Sequence, residues 1–182
     1  MNLIKTKLDG LVVLKPTVFK DNRGYFMESY NQQNINKLLG NVNFVQDNES
    51  ESSRGVLRGL HFQKPPYTQA KLVRCLKGSV LDVVLDLRKD SKTYGIFETI
   101  SLTEENKKQL FIPKGFAHGF IVLSKSAIFS YKVDNYYNPD SESGVLWSDL
   151  DLNIDWKTNK NEIIVSEKDK NLPTFNEIIN PF

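Results

Sequence analysis

Lys71-Leu72-Val73-Arg74-Cys75-Leu76-Lys77-Gly78-Ser79-Val80-Leu81-Asp82-Val83-Val84-Leu85-Asp86-Leu87-Arg88 is the stretch whose reading decides the fold. Its second half alternates: Leu81, Val83, Leu85 and Leu87 fall on one side and Asp82, Val84, Asp86 and Arg88 on the other, the period of two that a strand imposes. Lys77-Gly78 interrupts the run, so it reads as two strands joined in a hairpin. Further short runs follow at Gly95 to Leu102, Gln109 to Ile112, His118 to Leu123 and Ala127 to Tyr137, separated by turn signals such as Pro113-Lys114-Gly115 and Ser124-Lys125-Ser126. Short strands at regular spacing with no helices between them predict an all-β chain, an antiparallel sandwich or barrel. Helix is confined to short pieces. One is Gln32 to Leu39, closed by Gly40 where a C-terminal glycine is favoured; another lies near Glu167. The C-terminal stretch, which contains Pro173 and Pro181, is expected to wrap the outside of the barrel.

The 182 residues, 40% of them hydrophobic, suffice for one core and give no reason for a second, so one domain spanning 1–182 is expected. A net charge of +2 with interspersed signs carries no footprint of a nucleic-acid or membrane-surface binder, and small polar or anionic ligands are left. No apolar stretch approaches the roughly 18 residues of a membrane helix. Met1-Asn2-Leu3-Ile4-Lys5 lacks the apolar core of a signal peptide, and a cytoplasmic protein is expected. Cys75 is the single cysteine; it can form neither an internal disulfide nor a thiol metal cluster and reads as a small core hydrophobe.

Histidine is the side chain whose ordinary pKa lies nearest neutrality, and this chain has two, His61 and His118, both inside apolar, strand-like runs. Either one alone reads equally well as a core histidine held by a backbone partner. His61 sits in Leu57-Arg58-Gly59-Leu60-His61-Phe62-Gln63, where a base, a cation and a glycine come together. His118 ends Pro113-Lys114-Gly115-Phe116-Ala117-His118, a P-x-G-x-x-H pattern that resembles one half-motif of the cupin jelly roll, and the His61 segment occupies the place of the other. Two histidines cannot supply the three-histidine, one-carboxylate set of most metal cupins, though a two-histidine, one-carboxylate site stays open.

More of the chain carries a closer resemblance. Asp21-Asn22-Arg23-Gly24-Tyr25-Phe26-Met27-Glu28, Val45-Gln46-Asp47-Asn48, Leu57 to Gln63, Lys71-Leu72-Val73-Arg74, Asp86-Leu87-Arg88 and Gly115 to Phe120 resemble the dTDP-4-dehydrorhamnose 3,5-epimerase family in order and spacing. So do Tyr131-Lys132-Val133-Asp134-Asn135-Tyr136-Tyr137, Gly144-Val145-Leu146-Trp147 and Ser166-Glu167-Lys168-Asp169. The resemblance implies a cupin-type double-stranded β-helix with a few short helices, and the conversion of dTDP-4-dehydro-6-deoxy-D-glucose to dTDP-4-dehydro-β-L-rhamnose. It implies no metal and no cofactor, a redox cofactor being unnecessary because the substrate already carries the ketone. It makes His61 the catalytic base, Asp169 its carboxylate partner, Lys71 the cation near the ketone and Tyr131 the proton donor on the opposite face. Arg23, Phe26, Glu28, Gln46, Asn48, Arg58, His118, Glu142 and Lys168 match positions that bind the nucleotide sugar, and Tyr137 an aromatic associated with the thymidine ring. A homodimer is implied too, since relatives contribute the Arg23 to Glu28 segment across a subunit interface.

The chemistry asks for these residue types. A C–H beside a ketone is too weak an acid for neutral water, so a positioned base of near-neutral pKa is needed. A cation must meet the charge that develops on the ketone oxygen. Inversion requires the proton to return from the other face, and Tyr131 alternates with Ala127, Phe129 and Val133 on the barrel-lining side. Read without the resemblance, Tyr131 is a core tyrosine, Ser166-x-x-Asp169 a helix cap, Lys71 a strand-edge lysine and Arg23 a solvated turn residue. Regular alternation also puts Arg58 and His61 on opposite faces, unless Gly59 forms a bulge. Three rivals stand beside the two-carbon epimerase: a single-carbon epimerase of a related nucleotide-linked 4-keto sugar, a catalytically idle sugar-binding cupin, and a metal-dependent cupin using His61 and His118.

Overall fold

In a computed structural model that describes residues 1–182, Gly78 leads the chain out of one sheet and into another instead of closing a hairpin. The elements in chain order are β1 (Asn2–Lys5), β2 (Val12–Lys15), β3 (Val18–Asp21), β4 (Gly24–Met27), α1 (Gln32–Leu39), β5 (Gln46–Ser53), β6 (Leu57–Gln63), β7 (Lys71–Lys77), β8 (Ser79–Asp86), β9 (Phe97–Thr103), β10 (Gln109–Ile112), β11 (Phe116–Val122), β12 (Ser126–Val133), β13 (Glu142–Gly144) and α2 (Glu167–Lys170). One sheet has the order β1-β2-β10-β7-β12-β5 and the other β13-β6-β11-β8-β9, while β3 and β4 form a separate ribbon. Every strand pair is antiparallel, which gives the double-sheet jelly roll expected of the all-β class. β7 and β8 therefore lie on opposite sheets. Gly78 crosses between them at φ +77°, where an added Cβ would lie 2.2 Å from the Ser126 carbonyl oxygen, so no residue with a side chain fits. Strand, glycine, strand is a local signature that hairpins and sheet crossings share.

Three apolar layers organise the fold. Val73, Cys75, Val80, Val84, Phe116, Phe120, Val122, Ala127 and Phe129 fill the space between the sheets. The outer face of the five-stranded sheet presents Leu57, Leu60, Phe62, Leu81, Val83, Leu85 and Leu87, and Trp147, Ile154, Val165, Phe175, Ile178 and Phe182 cover it. The C-terminal stretch thus wraps the barrel as expected. On the other sheet Val12, Leu14, Leu72 and Phe111 are covered by Ile35 of α1. That helix has the expected bounds: the Asn31 side chain accepts from the Asn34 N–H at its start, and Gly40 ends it at φ 82°. Cys75 is buried in the interior layer, and burial pushes its thiol up to about 11, which leaves it unreactive.

β8 is covered on both faces, so the polar side of its alternation does not face water. Asp82 and Asp86 are both 0% exposed. Asp86 is fully partnered: the Arg88 backbone N–H and Nε donate to Oδ1 at 3.0 and 2.9 Å, and Arg88 Nη2, the Ser91 hydroxyl and the Thr93 hydroxyl donate to Oδ2 at 2.7 Å each. Burial acts to raise the Asp86 carboxyl, but these donors outweigh it and pull the group down to about 2. A folded value below the ordinary ~3.9 stabilises the protein by about 2 kcal/mol above pH ~4, and this is lost as pH falls toward 2. Asp86→Asn is expected to lower stability at pH 7 by about 2 kcal/mol or more and to flatten the acid-side slope. Urea melts at pH 7 and pH 3 measure both.

The strand limits differ from the sequence reading at a few ends. β9 begins at Phe97 because Gly95, at φ +74°, belongs to the preceding turn. β12 stops at Val133 because the next side chains serve the neighbouring loop: Asp134 accepts from the Ala70 N–H at 2.7 Å and Asn135 donates to the Pro66 carbonyl at 3.2 Å. No helix is long and apolar enough to cross a membrane.

Candidate active site

At one end of the barrel the inward positions change from apolar to polar. β5 presents Gln46, Asn48 and Ser50, which share a face because strand side chains alternate, and β7 presents Lys71, β11 His118, β12 Tyr131 and β13 Glu142. β6 contributes two residues. Arg58 pairs with Phe120 and His61 with His118, and the register shifts between these pairs. Gly59 makes that shift at φ +129°, with an added Cβ only 2.5 Å from the Gly119 Cα. The bulge lets Arg58 and His61 face one cleft although they are three residues apart. The cleft has a lobe of about 540 Å³, lined by Arg58, His61, Lys71, His118, Tyr131 and Asp169, among others. A second lobe of about 300 Å³ is lined by Gln46, Asn48, Gln63, Tyr137 and Glu142 and shares His61, Lys71 and Tyr131 with the first.

His61 Nε2 lies 2.7 Å from Asp169 Oδ1. Asp169 is 3% exposed and reaches the cleft from α2, where the Ser166 side chain accepts its backbone N–H at 3.1 Å. The Ser-x-x-Asp pattern is therefore both a helix cap and the mount of a histidine partner. Asp169 Oδ2 accepts the Gly59 N–H at 3.2 Å, which ties α2 to the bulge. Burial acts to raise the Asp169 carboxyl, but the hydrogen bonds from His61, Gly59 and Ser166 hold it below its ordinary value. An ionised Asp169 accepts from Nε2–H of His61, so the Nδ1 lone pair is free.

Lys71 is held down to about 8 by burial, with the charges of Asp82 and Glu142 opposing through space. Burial raises the Tyr131 phenol, and the positive charge of Arg58 partly offsets it. His118 Nε2 lies 2.9 Å from Asp82 Oδ2, and burial keeps this imidazole below its ordinary value. No three His, Cys, Asp or Glu side chains are grouped as a shared metal ion would require.

Around the smaller lobe Tyr137 donates its hydroxyl to Glu142 Oε2 at 2.6 Å, and Lys168 forms an ion pair with the same oxygen. The bond to Glu142 pushes the Tyr137 phenol up to about 12. Gln46 Nε2 donates to Asn48 Oδ1 at 2.9 Å, and Gln46 Oε1 accepts the Tyr137 N–H at 3.2 Å. Arg58 Nε donates to the Ser52 hydroxyl at 3.1 Å.

The chain's own cleft does not receive Arg23, Phe26 or Glu28. They lie on or beside the β3-β4 ribbon: Arg23 pairs with Asp21, Glu28 accepts from Asn31 and Asn34, and Phe26 is 70% exposed. The ribbon pairs with neither large sheet, so its own fold cannot turn these side chains into the barrel.

The comparisons with known proteins bear on this cleft. The family model described as dTDP-4-dehydrorhamnose 3,5-epimerase matches residues 5–177. The chain belongs to this family. It is an isomerase of the carbohydrate-epimerase type, on a cupin jelly roll. A dTDP-4-dehydrorhamnose 3,5-epimerase from Escherichia coli K12 is 50% identical over 98% of this chain and 97% of the relative. The crystal structure of one from Elizabethkingia anophelis is 53% identical and superposes with a TM-score of 0.94, covering 99% of this chain and 98% of that one. A Legionella pneumophila epimerase solved in complex with dTDP-4-keto-L-rhamnose is 46% identical with a TM-score of 0.93, covering 97% and 94%.

Two residues that support this epimerase's cleft escape sequence reasoning. Asp82 stands in an alternating run where a polar side reads as solvent-facing, and only the cover over both faces of β8 shows that it is buried against His118. Gln63 fixes the loop that carries Tyr137 and Glu142, accepting the Asn138 N–H at 2.9 Å and donating to the Asn138 carbonyl at 3.1 Å. Its place in the His61 strand was the available signal.

Proposed function

We propose that this chain converts dTDP-4-dehydro-6-deoxy-D-glucose to dTDP-4-dehydro-β-L-rhamnose, with His61 and Tyr131 exchanging protons at C3 and C5 in turn from opposite faces of the sugar. The observation that carries the reading is the placement of these two residues. His61 stands on the five-stranded sheet and Tyr131 on the six-stranded one, and both open onto one lobe. Nδ1 of His61 removes the proton on carbon, the C–H electron pair moves into the enolate, and Lys71 meets the charge on the ketone oxygen. Tyr131 returns a proton to the other face; its raised pKa keeps it a phenol, hence a donor, at neutral pH. Solvent exchange then resets imidazolium and phenolate. Asp169 holds the His61 ring and stabilises the imidazolium as it forms.

Arg58 and Lys168 are assigned to the diphosphate, where Arg58 offers a planar fork, and Gln46, Asn48, Glu142, Tyr137 and His118 to the rest of the nucleotide sugar. Arg23, Phe26 and Glu28 are assigned to a second copy's cleft. The ribbon that bears them projects Phe19, Tyr25 and Phe26 into solvent, an apolar surface of the kind a symmetric dimer covers. We place this homodimer in the cytoplasm. Sedimentation as a monomer at assay concentrations would overturn the dimer.

Incubation with the 4-keto sugar nucleotide, followed by NMR of the product ring, tests the reaction; recovery of unchanged substrate contradicts it. The pH profile adds a check on Lys71. Its ammonium is required and titrates near 8, so kcat is expected to fall with rising pH along a limb centred there. A profile flat to pH 10 would remove Lys71 from its role.

A further inference from the structure

Asp82 Oδ1 is the one buried side-chain oxygen or nitrogen in the molecule without a hydrogen-bond partner. The residue is 0% exposed and lies on the inward face of β8, between Val80 and Val84 of the interior layer. Its other oxygen is spent on His118 Nε2 at 2.9 Å. A dry carboxylate with an idle oxygen costs stability, and a fold that needed only a partner for His118 would be served by an amide. Burial raises this carboxyl, and what opposes burial and favours its charge is His118 and, through space, Lys71. The groups around Lys71 are Arg58 and His61 from β6, Asp82 from β8, His118 from β11 and Glu142 from β13 across the barrel, Tyr131 from the neighbouring strand β12, and Glu49, Lys168 and Asp169 on the same lobe. Of the two carboxylates whose charge acts on Lys71, Glu142 is engaged through Oε2 with Lys168 and Tyr137. Asp82 alone has an oxygen that is both buried and without a hydrogen-bond partner.

We propose that Asp82 is a positioning residue for the epimerisation: it fixes the His118 ring through Oδ2 and keeps Oδ1 as the counter-charge that holds the Lys71 side chain as an ammonium in the cleft. The inference rests on the function proposed above, in which Lys71 must be charged when the enolate forms. It accounts for a cost that folding alone does not explain. Burial drives Lys71 toward the neutral amine, and the Asp82 charge opposes that drive more than any other group does. His118 lies on the same carboxylate and shares its orientation with the lysine, so one buried charge sets two cleft-lining cations or donors at once.

Asp82→Asn keeps the shape and an acceptor for His118 and removes the charge. The expected result is a kcat reduced about threefold at pH 7.5 and about tenfold above pH 9, with KM changed by less than about threefold, the loss of a group acting in the transition state and not in ground-state binding. The alkaline limb of the kcat profile should also move to lower pH by about one unit, the size of shift a neighbouring charge produces. Thermal stability should be unchanged or higher, since an unsatisfied buried charge has gone. A carboxylate with a merely framework role would lower stability and leave the limb where it was. A folded Asp82→Asn with the wild-type limb and a kcat within about twofold overturns the proposal. If Asp82→Asn does not fold, Asp82→Ser carries the same expectations, and failure of both to fold assigns the residue to the framework and overturns it as well. Wild-type enzyme assayed alongside separates the two readings: an inactive wild type counts against the reaction, whereas an active wild type with an indistinguishable variant counts against Asp82 alone.

Discussion

Replacing His61 with Asn is expected to stop solvent deuterium from entering the sugar at either carbon. Asn keeps a polar side chain of similar reach in the cleft but has no lone pair basic enough to take a proton from carbon, so no enolate forms. Loss of a general base costs about a hundred- to ten-thousandfold, and the upper end is expected because every later step depends on the enolate. Asp169, 3% exposed, would then lose the 2.7 Å partner of its Oδ1 and keep only the Gly59 N–H on Oδ2. The variant's melting temperature should be recorded with its exchange rate, so that a folding defect is not read as lost catalysis. Wild-type exchange in a folded His61→Asn would remove His61 as the base.

Tyr131→Phe is expected to uncouple exchange from inversion. The phenyl ring still packs beside Phe129 and closes the interior, while the hydroxyl that delivers the proton is gone. His61 can still form the enolate, which is then protonated again from the original face or slowly by water. Deuterium should therefore wash into one or both carbons while inverted product falls by about a hundredfold or more. Residual inversion through water agrees with this. Complete and equal loss of exchange in a folded variant would reverse the assignment and make the tyrosine the base.

How far the sequence was legible varied with whether a feature is local. The end of α1 follows from Gly40, and β10 from four consecutive residues between turns, because caps and periods act within a few residues. The crossing at Gly78 is not local: the clash with the Ser126 carbonyl that demands glycine comes from a strand nearly fifty residues away. β5 carries the residues Gln46 to Ser53 with no apolar alternation, because its inward face lines a polar cleft, so its own pattern cannot announce a strand. In the site, the inward direction of Tyr131 was legible from the alternation of β12 and its role only from the family resemblance, while Arg58 could join His61 on one face only through a bulge at the glycine between them. Asp169 reads locally as a cap, and its role as a histidine partner came from the family resemblance, because its own surroundings in sequence declare only the cap; the fold shows that both hold. Arg23, Phe26 and Glu28 mark the opposite limit: their chemistry can be read, but a single chain holds them on a ribbon apart from its own cleft.

The central claim is that His61 and Tyr131 work on two carbons from opposite faces of one sugar, and deuterium exchange measures it most directly. The unaltered protein is incubated with dTDP-4-keto-6-deoxyglucose in deuterated water, and NMR reads the label at each ring carbon over time. The account predicts label at both C3 and C5, with inverted configuration at each. Label at one carbon alone would make the protein a single-carbon epimerase, and none at either would contradict the account.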